Sequence, residues 1–231
     1  MTSIRHLSTV LAAGALLAAG AQAAPVNWAD WTSGVAGQNG SAVGSFSTGT
    51  GTVDIGYSGE VAFIQTGSGT NYFSHGGTSP YTSPLVDNDP TAAEMIGLSL
   101  ATSKTLSFST AVDNLFFAVV SLNGNGYKFD SDFEIVSAGC GYWGCGTLTK
   151  VDLGGGKFQL NGSGEPHGVI RFTGAVSSIT WTSLTNEYWN GFTVGTYGIA
   201  TPAVPEPGTY ALMALGLAGI AAAARRRRPA A

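Results

Sequence analysis

Two short stretches in the second half of the chain bring together residue types that bind or cut sugars. Glu165-Pro166-His167-Gly168 and Glu187-Tyr188-Trp189-Asn190 supply carboxylates, an imidazole and flat rings. Indole and phenol rings stack on the apolar faces of pyranoses. Two carboxylates about 5–9 Å apart are the machinery of glycoside cleavage. Sequence does not give that separation, and Trp and Tyr in β proteins are more often core than platform. Glu165, His167, Glu187 and Trp189 are therefore read as candidate ligand contacts, and no residue is assigned as catalytic. Convergence of Glu60 with Glu165, Glu187 and His167 in one cleft would instead favour an enzyme.

A third stretch, Gly139-Cys-Gly-Tyr-Trp-Gly-Cys-Gly, holds the two cysteines of the chain. In an oxidising compartment Cys140 and Cys145 are expected to form a disulfide, stapling a loop that carries Tyr142 and Trp143, two further candidate contacts. Zinc is disfavoured, because the segment offers two thiols and no nearby histidine where a closed site needs four ligands. Asp87-Asn88-Asp89 and Asp130-Ser131-Asp132 offer hard oxygens suited to calcium, in neither case with the spacing of a helix-loop-helix calcium loop. Polar turns with Asx hydrogen bonds are the commoner use of such triplets. Calcium is thus an option without a specified site, and no cofactor is expected. The chain has no Gly-x-Ser-x-Gly, no zinc-protease motif and no phosphate loop.

The elements that must position these residues read as strands. Short apolar runs alternate with Gly, Asn, Ser and Thr from Pro25 to Ala203. Val61-Ala62-Phe63-Ile64 is one run; Leu106 and Phe108 alternate with Thr105 and Ser107. Leu115 to Val120 is continuously apolar, as in a strand buried on both faces. Phe133 with Ile135, Phe158 with Leu160, Val169 to Phe172, Ile179 with Trp181, and Phe192 with Val194 continue the period of two. Turn signals stand at Asn123-Gly124-Asn125-Gly126, Gly154-Gly155-Gly156, Asn161-Gly162 and Asn190-Gly191. Pro90 to Leu98 reads as a short helix, with Asp89 as its cap and Pro90 in its first position. About ten short strands with almost no helix predict an all-β domain at 24–203, an antiparallel β-sandwich or jelly roll.

Composition narrows the function classes. Of 231 residues only 10% are charged, against 44% hydrophobic; an ordinary cytosolic domain carries about 25% charge. The 34 glycines follow no three-residue period, which excludes collagen. From Asp30 to Glu206 five bases stand against 14 acids, a net of −9. That field repels polyanions, so no nucleic-acid partner is expected.

The remaining bases lie at the two ends. Residues 1–23 read as a signal peptide: Arg5 and His6, a short Ala/Leu-rich stretch, then Ala21-Gln22-Ala23, the small-x-small pattern cut by signal peptidase. The C-terminus runs Val204-Pro205-Glu206-Pro207-Gly208, sixteen uncharged residues from Thr209 to Ala224, then Arg225, Arg226, Arg227 and Arg228. Sixteen helical residues span about 24 Å, short of a roughly 30 Å hydrocarbon core, and flanking arginines extend the reach by snorkelling. The arginine cluster would stay cytoplasmic, which puts the acidic domain across the membrane.

The order Val-Pro-Glu-Pro, short hydrophobic helix, arginine cluster resembles the PEP-CTERM sorting signal over residues 204–231. The resemblance implies handling by exosortase in a Gram-negative-type envelope, with Pro205, Glu206 and Pro207 as the recognised motif and the four arginines as its basic end. It also implies an inner-membrane intermediate, held by a transmembrane helix that is later removed. Delivery would be to the cell surface or the extracellular matrix, usually where polysaccharide is exported. The expectation is a non-enzymatic surface or matrix protein, structural or polysaccharide-associated, as in a biofilm. The alternative is a glycosidase or lyase on the same β scaffold.

Overall fold

The computed structural model describes residues 25–200, together with 215–218 and 220. Residues 215–218 and 220 are helical, and no helix among the described residues is long and apolar enough to cross a membrane. The signal segment, the Pro205-Glu206-Pro207 triplet and the arginine cluster lie outside the described residues.

Thirteen strands follow one another: β1 (Asn27–Trp28), β2 (Asp30–Val35), β3 (Gly37–Thr48), β4 (Gly51–Val61), β5 (Phe63–Thr66), β6 (Glu94–Leu98), β7 (Ser103–Val120), β8 (Gly126–Phe129), β9 (Glu134–Gly139), β10 (Gly146–Gly154), β11 (Lys157–Gly164), β12 (His167–Ser183) and β13 (Asn190–Ile199). Every ladder between them is antiparallel.

Two long strands organise the rest. Leu106, Phe108 and the run Leu115–Val120 belong to one 18-residue strand, β7. Val169–Phe172, Ile179 and Trp181 belong to one 17-residue strand, β12. The two pair from Gly168↔Val119 to Thr182↔Ser103, with register shifts at Phe172/Ala175 and Val176/Ser178. Bulges of this kind bend a ladder, and here they fold the pair over on itself. Trp181 pairs with Lys104, and a straight strand would hold Phe117 about 43 Å from that position. The Phe117 and Trp181 rings are 5.3 Å apart.

Each half of the pair recruits its own neighbours. The Leu115–Val120 half of β7 pairs with β13, which pairs with β6 and through it β5, while the early part of β12 pairs with β9. The Thr105–Phe108 half pairs with β4 and so with β3 and β2; the late part of β12 pairs with β8, then β11 and β10. Between the halves lie Trp31, Phe46, Tyr57, Leu106, Leu115, Phe117, Val119, Phe129, Trp181 and Phe192. Phe116, Ala118 and Val120 point the other way, into a second cluster with Trp28, Phe73, Tyr81 and Met95. The apolar run Leu115–Val120 is thus buried on both faces, as its sequence predicts. Each large ring fully buried in this way contributes roughly 1.5–3 kcal/mol.

Four local expectations are corrected. Pro90–Leu98 is not a helix. Ala93 has φ of +56°, which interrupts any helix there, and Glu94–Leu98 is a strand buried between β5 and β13. The Glu94 carboxylate accepts from the Trp31 amide at 2.6 Å, and Asp89 accepts from Ser79 instead of capping. Val61–Ile64 is divided at Ala62 between β4 and β5. Asn161-Gly162 and Asn190-Gly191 are not turns but sit inside β11 and β13. Their glycines answer crowding: a Cβ at Gly162 would lie 1.9 Å from the Leu122 carbonyl oxygen, and one at Gly191 would lie 2.3 Å from the Met95 sulfur.

Two buried polar arrangements brace the end of the sheet that carries the long loops. The Lys104 ammonium, 4.0 Å from Glu60, donates to the carbonyls of Leu100 and Thr102, while Glu60 accepts from Ser99 and Leu100. Burial pushes the Lys104 amine down to about 8, and the Glu60 charge opposes that shift. His167, fully buried at the start of β12, shares a 2.9 Å hydrogen bond between Nδ1 and the Tyr81 hydroxyl. Burial lowers its pKa to about 4, so it is neutral near pH 7.

Two predictions follow from these contacts. Gly162→Ala is expected to destabilise the protein by about 2 kcal/mol or more, because a backbone oxygen fills the space for the methyl group. Gly155→Ala, in a turn with φ of +61° and nothing within 4 Å, is expected to cost about 1 kcal/mol. Urea unfolding of both variants checks the order. For His167 the folded pKa lies below the unfolded value near 6.5, so the unfolded chain binds more protons between pH 4 and 6.5. Stability therefore falls on acidification through that window by up to about 1.4 kcal/mol per pH unit. His167→Gln is expected to flatten this part of the stability–pH curve; a parallel curve for the variant would contradict it.

Candidate functional site

Four loops meet at the end of the sheet where β7 finishes and β12 and β13 begin. They follow β7 (Ser121–Asn125), β9 (Cys140–Cys145), β11 (Glu165–Pro166) and β12 (Leu184–Trp189). Together they line a cleft of about 420 Å³, within the size range of small-ligand sites.

The disulfide loop supplies one wall. Cys140 and Cys145 are bonded, with Cα atoms 4.0 Å apart. A 2.8 Å hydrogen bond from the Gly141 amide to the Gly144 carbonyl closes the loop and holds Tyr142 and Trp143 at its tip. Gly141 lies on the His167 ring, where a Cβ would be 2.3 Å from the imidazole. Trp143 lines the cleft, half exposed at 51%.

Trp189 meets Trp143 edge-on, 6.1 Å between centroids, so the two indoles form one continuous aromatic wall, with Tyr188 at its rim, 92% exposed. Trp189 is held edge-on by Phe63, 5.1 Å between centroids, and Phe63 in turn lies over Gly97 of β6. Tyr72, in the long loop after β5, packs against both indoles: it stacks on Trp143 at 6.2 Å and meets Trp189 edge-on at 4.9 Å. Tyr142 packs edge-on against both Tyr72 and Trp143.

Two carboxylates line the same cleft beside this aromatic wall. Glu165 accepts hydrogen bonds from Ser121 and Asn123. Glu187 Oε1 accepts from Asn125 at 2.7 Å and from Asn190. Burial raises the Glu187 pKa, the two amide donors oppose that rise, and the Glu165 charge adds to it. Ser121 takes φ of +54°, unusual for a residue with a side chain, to present its hydroxyl to Glu165. Such a group of rings and carboxylates can stack a sugar and accept its hydrogen-bond donors.

The structure brings Trp143, Glu165, Glu187 and Trp189 to one cleft, with Tyr142 supporting it. His167 is sealed beneath the disulfide loop and does not line the cleft; its Nε2 has no hydrogen-bond partner. Glu60 is committed to Ser99 and Leu100. The aspartate triplets are used elsewhere. Asn88 clamps the Val26 backbone, Asp89 bonds His75 at 3.0 Å, and Asp130 and Asp132 pair with Lys157 and Lys150. Among the described residues no three of His, Cys, Asp or Glu are grouped to hold a metal.

Sequence reasoning missed Tyr72, Ser121, Asn123 and Tyr188. Tyr72 has a weak signal, as half of an aromatic pair in an otherwise polar stretch; Ser121 and Asn123 have none beyond their place in a turn.

Comparison with known proteins bears on the C-terminal end. No curated protein and no solved structure matches the chain. Residues 203–228 match the family model described as the PEP-CTERM protein-sorting motif. That match spans the Pro205-Glu206-Pro207 triplet, the uncharged stretch and Arg225–Arg228. The chain thus carries a PEP-CTERM sorting motif, the mark of an exported protein that exosortase delivers to the cell surface.

Proposed function

We propose that this is a non-enzymatic surface or matrix protein that associates with exported polysaccharide through the aromatic cleft. In this reading residues 1–23 are removed by signal peptidase, and residues 24–203 form a jelly-roll type β-sandwich. Residues 204–231 hold the chain in the inner membrane until exosortase processes it. The observation that supports the binding role is the meeting of Trp143, Glu165, Glu187 and Trp189 around one cleft. The geometry of β13 suits presentation from a surface. Asn190 adjoins the cleft, whereas Ile199 lies nine residues further along the strand, about 30 Å away, where the chain heads toward the sorting motif.

A second reading has its own support. Two carboxylates share the cleft, and Glu187 is shifted toward the protonated form by burial and by Glu165. A carboxyl group with a raised pKa beside a second carboxyl group is the pairing used in glycoside cleavage. Steady release of reducing ends from the host's polysaccharide, abolished by Glu187→Gln, would establish that enzyme; binding without release supports the non-enzymatic role.

Two outcomes are expected. Replacing Pro205-Glu206-Pro207 by alanines leaves the protein unprocessed in the inner membrane, as read by fractionation and mass; normal surface delivery of the variant contradicts the sorting role. Trp143→Ala or Trp189→Ala weakens retention on the host's exported polysaccharide by about tenfold, since a lost stacking face costs on the order of 1 kcal/mol or more. Undiminished retention in a pull-down contradicts the cleft's role.

A further inference from the structure

The charge of the cleft selects among glycans, and this inference rests on the cleft being a glycan site. Neither Lys, Arg nor His lines it. Four of the five bases between residues 24 and 203 are held in ion pairs: Lys104 with Glu60, Lys150 with Asp132, Lys157 with Asp130 and Arg171 with Glu134. Glu165 and Glu187 face the cleft with only neutral donors, from Ser121, Asn123, Asn125 and Asn190. Both oxygens of Glu165 are engaged, as is Oε1 of Glu187. Oε2 of Glu187 has no protein donor among the described residues and is the acceptor left for a ligand.

Each class of glycan meets this site differently. A uronic-acid or sulfated polymer would place like charges against the two glutamates. A neutral sugar would stack on Trp143 and Trp189 and offer hydroxyl donors to Glu187. A sugar bearing a protonated amine would add two terms: a charge-assisted hydrogen bond to a carboxylate, and attraction of the cation to the indole surface that lines the cleft. The cleft is partly closed, so these terms are screened less by salt than at an open surface.

We infer that the cleft takes a glycan carrying free primary amines, such as a polymer of de-N-acetylated amino sugars, with Glu187 Oε2 receiving the ammonium beside the Trp143–Trp189 wall. The acidic domain then binds a cationic polymer directly, and calcium bridging is not required for contact.

The test titrates the full-length protein with a glucosamine oligomer, the matching N-acetylated oligomer and a uronic-acid oligomer, following tryptophan emission. The glucosamine oligomer is expected to bind about tenfold tighter than the N-acetylated one, and the preference is expected to shrink as salt is raised. The uronic-acid oligomer is expected not to bind. Glu187→Gln, with an unchanged circular-dichroism spectrum, is expected to equalise the first two while retaining binding. The salt series on the unmutated protein carries the same question if that variant fails to fold. Equal or tighter binding of the N-acetylated oligomer overturns the ammonium assignment and leaves the glycan site standing. No binding of any oligomer overturns both.

Discussion

The pairing of β7 with β12 is the constraint on which the rest of the molecule depends. Twelve backbone pairs run along it, and its bulges bend both strands together so that one ladder passes through both halves of the sheet. Because the pair is folded over, Phe117 of one half packs against Trp181 of the other, and Phe192 of β13 stacks on Phe117 at 4.8 Å. The same fold-over returns the C-terminal end of β7 and both termini of β12 to one end of the molecule. Every loop that lines the cleft springs from that end. The Val112 side of the pair, with Ile199 opposite it, lies at the other end. β13 thus runs from the cleft to Ile199 at the opposite end of the sheet.

Electrostatics follow the same division. The domain has few charges, and outside the cleft several of its carboxylates have a partner: an ion pair for Glu60, Asp130, Asp132 and Glu134, a histidine for Asp89, a backbone amide for Glu94. The three exposed ion pairs, of Asp130, Asp132 and Glu134, contribute little stability each, yet they neutralise the flanks of the sheet. Glu165 and Glu187 are held by neutral groups only, in a cleft they share with Trp143 and Trp189. Their mutual repulsion and the burial of Glu187 raise its pKa, a cost in stability that a cationic or hydrogen-bonding ligand would relieve. Backbone strain at Ser121 falls at the same place, where functional sites commonly store it.

Much of the strand content was legible because burial on one face leaves a period of two, and burial on both faces leaves a run such as Leu115–Val120. The disulfide was legible from the cysteine pair and the compartment implied by the two ends. Glycine was the misleading residue. Asn161-Gly162 and Asn190-Gly191 carry the dipeptide of a hairpin turn, yet both glycines exist because the Leu122 backbone and the Met95 side chain approach from outside their strands. Pro90–Leu98 carries a good N-cap and helix start, overridden by pairing with β5 and β13, which no local pattern encodes. Of the candidate contacts, the tryptophans and glutamates were found by type, whereas His167 turned out to brace the loop from below. Tyr72 reaches the cleft from a loop far away in sequence, and such a contact is set by tertiary packing alone.

The separation of the cleft from the Ile199 end of β13 is tested most directly by a distance between spin labels. Labels at Tyr188, on the cleft rim, and at Thr50, in the turn preceding Gly51, whose Cβ position lies 3.9 Å from Ile199, report the two ends of the sheet. The account gives a single distance distribution centred at about 30 Å, the length of β13. A distribution centred below about 15 Å would place the cleft beside Ile199 and contradict that separation.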